Sequence, residues 1–445
     1  MNIPVFLHCK PAVSILLIAL TLVMTGCGSG ITEIPAAPSA TLAQPTAPPT
    51  TPPTDTPIPT DTPTPTDSPT PFVPKATIKI ASQSPLSVQF ANFGTDIMRS
   101  ADLAVGQLAG PLMELGYKME LASHDDQSDF GVAASVAKKI VADSEILCVV
   151  GPFTSRVLNQ VKEIYHQAGL AFVSPSATAA FAAASGYPEV NRVLGRNDGE
   201  GAAGAQFAQA RGFSRVFIIS ENSDIGRFIA KNFKNEVSRL GVTVVGDMST
   251  DAVRDFGKLI ERVLSSNADL IYFSTLNIEQ AGTFFREVRA AGYTGTLMGM
   301  SGLDTPSLPE FAGPLLTDGG GMYYTNVVLP ASGYPDAANF IEDFETLYNT
   351  VPEMFAVQAY DAAGICLKAI EEASKAKSGE IPTRAEVANA VRALQDFQGI
   401  TGMYNFDENG DPNPARYFVL QVISTDPSEW NQNTLVASFE IAPPQ

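Results

Sequence analysis

Ile146-Leu147-Cys148-Val149-Val150-Gly151-Pro152-Phe153-Thr154-Ser155 is the stretch on which the reading of the fold turns. Five apolar residues without polar alternation predict a strand covered on both faces, as in a parallel sheet flanked by helices. Gly-Pro ends the strand, Thr and Ser bring side-chain oxygens to a helix start, and Val157, Val161 and Ile164 follow at helical spacing. The same strand–loop–helix unit recurs on both sides. Strands are predicted at Thr77–Ala81, Met119–Leu121, Leu170–Val173, Arg215–Ile219, Val242–Val245, Leu270–Phe273 and Gly321–Tyr324. Most are separated by helical patterns such as Ile97, Ala101, Ala104, Leu108 and Leu112. Apolar strands alternating with helices define an α/β architecture.

In sheets of this kind, ligands bind beyond the carboxyl ends of the strands. Two loops there carry hydroxyls: Gly151 to Ser155, and Ser174-Pro175-Ser176-Ala177-Thr178 after Val173. Helix capping accounts for either loop alone. Two such loops on neighbouring strands are also the pattern of a carboxylate site, because the first turn of a helix has unsatisfied amides and a positive dipole end. Both readings stand at this point.

The ends of the chain differ from its body. Residues 1–26 place Lys10 before an apolar run from Ala12 to Met24, the layout of a secretory signal. That run is shorter than the roughly 20 residues needed to span a bilayer. Met24-Thr25-Gly26-Cys27 resembles the bacterial lipoprotein signal, which implies lipidation at Cys27 and a membrane-anchored, extracytoplasmic protein. Residues 27–75 are then the anchor and a stalk: from Ile31 to Pro74 the chain is dominated by Pro, Thr, Ala and Ser, a composition that favours extended polyproline geometry over a packed core.

With 28 basic and 47 acidic side chains, the net charge of -19 repels phosphate backbones and argues against a nucleic-acid partner. Cys148 and Cys366 are the cysteines of the body, one in an apolar strand and one in an alanine-rich helix. Both are expected to be inert core thiols, with no disulfide holding the fold.

From Ile78 to about Asp411 the body resembles the periplasmic branched-chain amino acid binding proteins, the type I solute receptors of ABC transporters. The resemblance is carried in order by Ile78-Lys79-Ile80-Ala81, Ser84-Pro85-Leu86-Ser87, Phe93-Gly94, His124-Asp125-Asp126 and the two hydroxyl loops. It continues through Arg196-Asn197-Asp198, Ala359-Tyr360-Asp361-Ala362 and Gly402 to Asp407. It implies two lobes, each a mostly parallel sheet flanked by helices, joined by three crossings, with 76–196 plus 327–400 in the first lobe and 197–326 plus 401–445 in the second. It also implies a monomer that traps a small carboxylate-bearing ligand, most simply an amino acid of the branched-chain kind, between closing lobes and presents it to permease subunits. No cofactor or metal is expected.

The resemblance assigns the ligand carboxylate to Ser155, the carboxylate and amine to the pair Ser176 and Thr178, with Ala177 between them as a further ligand contact, and an aromatic wall to Phe93. In the second lobe it points to Ile225 and Leu276, where relatives often carry aromatic residues, and to Ser301, where they carry the acid that meets the ligand's ammonium group. With Ser301 in that place, Asp304 is the first choice for the missing charge, and Asp198, Asp224 and Glu279 are the others. The alternative is a ligand without an ammonium group, such as an aromatic acid or amide. The family's disulfide positions are Ser128 and Thr154 here. An enzyme is the weaker reading: Asp125-Asp126 are expected to be solvated loop acids, and Asp407 to Asp411 a hairpin turn, because the glycine and distal glutamate of a calcium loop do not fit. A sensing receptor for a signalling partner is the remaining rival.

Overall fold

A computed structural model describes residues 73–183 and 185–444. The signal segment, Cys27 and nearly all of the Pro/Thr-rich stretch lie outside the described residues. The first part of the body runs β1 (Ala76–Ser84), α1 (Ala91–Leu108), α2 (Gly110–Glu114), β2 (Tyr117–Asp125), α3 (Phe130–Ala142), β3 (Ile146–Val150), α4 (Ser155–Gln167), β4 (Ala171–Ser174), α5 (Ala180–Ala183) and β5 (Val190–Arg192). These strands form one parallel sheet in the order β2-β1-β3-β4-β5.

The chain then crosses to a second sheet through α6 (Glu200–Ala210), β6 (Arg215–Glu221), α7 (Asp224–Arg239), β7 (Thr243–Thr250), α8 (Gly257–Ser266), β8 (Leu270–Ser274), α9 (Ile278–Ala290), β9 (Thr296–Gly299), α10 (Leu308–Ala312) and β10 (Met322–Asn326). It returns to cover the first sheet with α11 (Ala338–Tyr348), α12 (Ala356–Ala376) and α13 (Arg384–Arg392), and forms the short pair β11 (Phe397–Gln398) and β12 (Met403–Tyr404). It crosses once more to add β13 (Ala415–Val422) and β14 (Thr434–Ile441). The second sheet has the order β14-β13-β10-β9-β8-β6-β7; its last two strands run antiparallel at one edge and the rest are parallel.

The inner strands of each sheet, such as β3 and β4 in the first and β8 and β10 in the second, are buried along their whole length, which is why β3 and β8 read as unbroken apolar runs. In the first lobe Ile80, Cys148 and Val150 pack under α1, α12 and α13, while Val149 and Phe172 pack under α3 and α4. In the second, Phe217, Ile219 and Phe273 meet α8 and α9, and Ile218 and Tyr272 meet α6 and α7. Tyr404 and Phe406, which a boundary at 400/401 gives to the second lobe, pack in the first-lobe core, and the return to the second sheet begins only at Ala415.

Two expectations are overturned. Cys148 and Cys366 are not free thiols: they form a disulfide across 218 residues, with Cα atoms 5.8 Å apart, because α12 lies along β3 and lays one cysteine over the other. Nor are both loop acids solvated. Asp126 is fully buried and accepts from Ser128 N at 2.9 Å, and Asp125 is half-buried, holding Leu86 N at 2.8 Å and the Ser87 hydroxyl. Both shape the turn after β2. The stretch from Asp407 to Asp411 does close a tight turn, with Asp407 N on Asp411 O at 2.9 Å and Gly410 N on Asp407 O at 3.1 Å.

Candidate functional site

Every residue of the body read as a ligand contact lies after the carboxyl end of a parallel strand. In the first lobe Phe93 follows β1, Ser155 follows β3, and Ser176, Ala177 and Thr178 follow β4, three adjacent strands. In the second lobe Ile225 follows β6, Leu276 follows β8, and Ser301 and Asp304 follow β9, again adjacent.

The first-lobe loops are built by local bonding. Gly151 has φ of 124°, and a Cβ there stands 2.1 Å from Gln83 O, so only glycine lets β3 pass β1 into the loop. Thr154 caps α4 by accepting from Val157 N at 3.2 Å. Ser155, the first helical residue, accepts from Ala179 N at 3.1 Å, which ties the two loops together and leaves its own proton free to donate. The Ser176 hydroxyl donates to Phe153 O at 2.7 Å and is taken up by the scaffold. Ala177 is buried with its amide on the Ser174 hydroxyl. Thr178 is half-buried, and its hydroxyl bonds to no other described residue. Ser155 and Thr178 are therefore the hydroxyls available to a ligand, and Ser176 and Ala177 hold the loop that presents them.

Phe93 stacks on Phe153 with ring centroids 5.9 Å apart and meets Phe355 edge-on at 6.3 Å; Phe90 adds a fourth ring against Phe153 at 5.7 Å. Phe90 and Phe355 both have left-handed backbone, φ 69° and 73°, at the starts of α1 and α12. Such residues cost about 1–2 kcal/mol each and concentrate at binding sites. Sequence reasoning named Phe93 alone, since nothing in the pattern marks a left-handed phenylalanine.

A buried charge cluster supports the hydroxyl loop from below. Arg192, at the end of β5, donates to Ala177 O and Ala179 O, both at 2.9 Å. Its Nε stands 2.6 Å from Asp411 Oδ1, off the hydrogen-bond axis, and Arg196 lies 3.6 Å from the same carboxylate. Burial lowers the Arg192 pKa and raises that of Asp411.

In the second lobe Ile225 and Leu276 are exposed, at 40% and 46%, as apolar residues facing no core. The acids proposed to replace a charge at Ser301 are already engaged. Asp304 accepts from Asn326 Nδ2 at 2.7 Å and Trp430 Nε1 at 2.8 Å, and burial raises its pKa. Asp198 pairs with Arg196, Asp224 with Arg227 at 2.8 Å and Glu279 with Arg254 at 3.0 Å. Two acids that the sequence reading did not single out are held by neutral donors instead. Glu221 accepts from Thr275 Oγ1 at 2.7 Å and Leu276 N at 3.1 Å. Glu200, fully buried, accepts from Ser301 N and Ser301 Oγ, both at 2.7 Å, and from Thr325 Oγ1 at 2.9 Å, and burial pushes its pKa up to about 7.

A cavity of about 390 Å³ lies among the three crossings, lined by Val193, Gly195, Val327, Thr401 and Tyr404. It contains none of the available hydroxyls; it is space at the hinge. Among the described residues, hydrogen bonds from one lobe to the other fall at the crossings, such as Asn197 N to Thr178 O at 3.0 Å and Tyr417 OH to Arg196 O at 2.9 Å.

Two α/β lobes on three crossings, with hydroxyl and apolar side chains gathered at the strand ends, define the fold of a two-lobed solute receptor. The chain belongs to the periplasmic binding protein family, whose profile matches residues 77–427, and that family places it outside the cytoplasm. It is 30% identical over 339 residues to a Leu/Ile/Val-binding protein of Rhizobium johnstonii, covering 76% of this chain and 89% of that one. A leucine-, isoleucine-, valine-, threonine- and alanine-binding protein of Pseudomonas aeruginosa is 28% identical over 339 residues, 75% of this chain and 87% of that one. Among solved structures, a leucine-binding protein from Thermotoga maritima superposes with a TM-score of 0.60 at 26% identity, covering 82% of this chain and 99% of that one.

Proposed function

We propose that this protein is the receptor of an ABC importer, binding an amino acid of the branched-chain kind between its lobes, anchored through lipid on Cys27, and delivering the ligand to permease subunits. One observation carries the reading: Ser155 at the start of α4 and Thr178 on the loop after β4 offer donors from two loops tied together by the Ala179 N to Ser155 bond, with the rings of Phe93 and Phe153 close by. Donors at a helix start suit a carboxylate and rings suit an aliphatic side chain. Ile225 and Leu276 supply apolar contacts from the second lobe. Closure follows from ligand contacts drawn from both lobes, which favour the closed form over the open one. The reading involves no catalysis. No helix among the described residues is long and apolar enough to cross a membrane; the anchor reading rests on the lipoprotein-like Met24-Thr25-Gly26-Cys27.

A thermal-shift screen of the full-length protein in detergent against the common amino acids tests this. Leucine, isoleucine or valine at about 100 times its dissociation constant adds about 2.7 kcal/mol of stability. A screen in which none of them raises the melting temperature refutes the ligand class. A Cys27→Ala protein that stays firmly membrane-bound refutes the anchor.

A further inference from the structure

The geometry points to Glu200 as the acid that answers the ligand's ammonium group through the Ser301 hydroxyl, so that this receptor demands an α-amino acid and discriminates against the same carboxylic acid without its amine. The inference rests on the carboxylate site proposed above. It adds to that site a specificity-determining residue in the other lobe.

Ser301 stands at the end of β9, half-buried, with Gly302 packed against Leu276. Glu200 opens α6 on a different part of the chain, 101 residues away, and lies beneath it. Its Oε1 accepts from Ser301 Oγ, while its Oε2 accepts from Ser301 N and Thr325 Oγ1. All of these donors are neutral. No cation is hydrogen-bonded to Glu200 among the described residues: Asp198 on the turn before α6 adds repulsion and holds the nearby Arg196 as its own partner, and Tyr272 of β8 and Tyr417 of β13 are buried phenols whose pKa values are raised. The N-terminus of α6 adds a favourable field. A fully buried carboxylate with no counter-ion is complete only when a cation arrives or when it keeps its proton.

Ser301 shows how a cation is reached. Its single hydroxyl proton is committed to Glu200, so toward the half-exposed side it has only acceptor lone pairs. An ammonium group has donors and no acceptor, and it fits that oxygen. The hydrogen-bond chain from Glu200 through Ser301 is polarised by the carboxylate and passes negative charge outward by one hydroxyl. Glu200 is thus a positioning residue, and Ser301 makes the contact. The acid absent at position 301 lies one hydrogen bond behind Ser301.

Isothermal titration of the full-length protein in detergent tests this with two probes, leucine and 4-methylpentanoate, which is leucine without its amine. The wild type is expected to bind leucine more tightly, and its leucine affinity to rise about tenfold between pH 6 and pH 8 as Glu200 ionises. Affinity for 4-methylpentanoate should not rise. Glu200→Gln should weaken leucine by roughly ten- to a hundredfold, flatten that pH profile and leave 4-methylpentanoate unchanged. Ser301→Ala, which leaves the buried acid in place, should also weaken leucine selectively, and it decides the question if Glu200→Gln does not fold. Wild-type leucine affinity with an unchanged pH profile in Glu200→Gln, or wild-type affinity in Ser301→Ala, overturns the inference. Equal wild-type affinity for the two probes overturns it and leaves the carboxylate site standing, whereas binding of neither probe overturns both.

Discussion

Replacing Asp411 by alanine tests whether the charge cluster beneath the hydroxyl loop is what positions it. Both members of the Arg192–Asp411 pair are almost wholly buried, with side-chain exposures of 1% and 2%. Burial shifts each pKa toward its neutral form, so desolvation offsets much of the pair's attraction and its net contribution is small. Removing one member is a different matter. Arg192 then keeps a buried charge without its carboxylate, and Arg196, 3.6 Å from that carboxylate, is left beside a second cation with only Asp198 for a partner. The expected loss is about 3–5 kcal/mol. Because Arg192 also holds the carbonyls of Ala177 and Ala179, the loop that carries Thr178 should loosen and leucine should bind more weakly. An Arg192→Met, Asp411→Leu double replacement removes both charges and should recover much of the stability, but not the affinity. Urea unfolding followed by circular dichroism, with titration of leucine on the same samples, measures both effects. A loss below about 1 kcal/mol in Asp411→Ala, or a double variant less stable than the single one, refutes this reasoning.

Ser155→Ala combined with Thr178→Ala should weaken leucine by more than a hundredfold, since each hydroxyl bond to a charged group is worth about 1.5–3 kcal/mol; titration showing full affinity in the double variant misplaces the site. Glu200 and Asp361 are buried acids raised to about 7 and about 6, so the folded state binds more protons than the unfolded one up to those values. Unliganded stability should therefore fall by a few kcal/mol as pH rises from about 5 to about 8, and a melting temperature that climbs over that range contradicts it. Reducing Cys148–Cys366 should cost at most about 5 kcal/mol by chain entropy for a loop of 218 residues, and melts with and without a reductant will read it.

How much of this was legible in the sequence depends on how local each feature is. The unit from Ile146 to Ile164 could be read because an apolar run, a turn and a helical period follow one another directly, and β3, its loop and α4 lie where that pattern puts them. β5 could not be read: it is three residues long and contains Asn191, buried where it accepts from Arg392 Nε at 3.0 Å, and Arg192, buried in the charge cluster. β14, an edge strand, is exposed for most of its length although Leu435, Val436, Ala437, Phe439 and Ile441 are apolar, so its apolar residues do not mark a covered face. The hydroxyl loops were found, but not the division of labour within them, since only the fold shows Ser176 bonded to Phe153 O while Ser155 keeps a free proton. Glu200 was missed for a related reason. It stands between two glycines in a stretch without a motif, and its role comes from partners more than a hundred residues away. Asp304, three residues beyond Ser301 in the chain, is the nearer acid in sequence, but its carboxylate is occupied by Trp430 and Asn326.

The Cys148–Cys366 bond also makes part of this protein a covalent ring. Strands β6 to β10 lie wholly inside it, while β13 and β14 of the same sheet lie outside. A protease that cuts one peptide bond between residues 148 and 366 therefore opens the ring without releasing a fragment. The nicked molecule stays one covalent unit, even when denatured, until a reductant is added, and then under denaturing conditions it separates in two. Synthesis meets the same topology from the other side, because Cys366 emerges only after β10 is complete. The staple in the first lobe closes after the parallel part of the second lobe has been made, and an oxidising compartment is where such a bond persists.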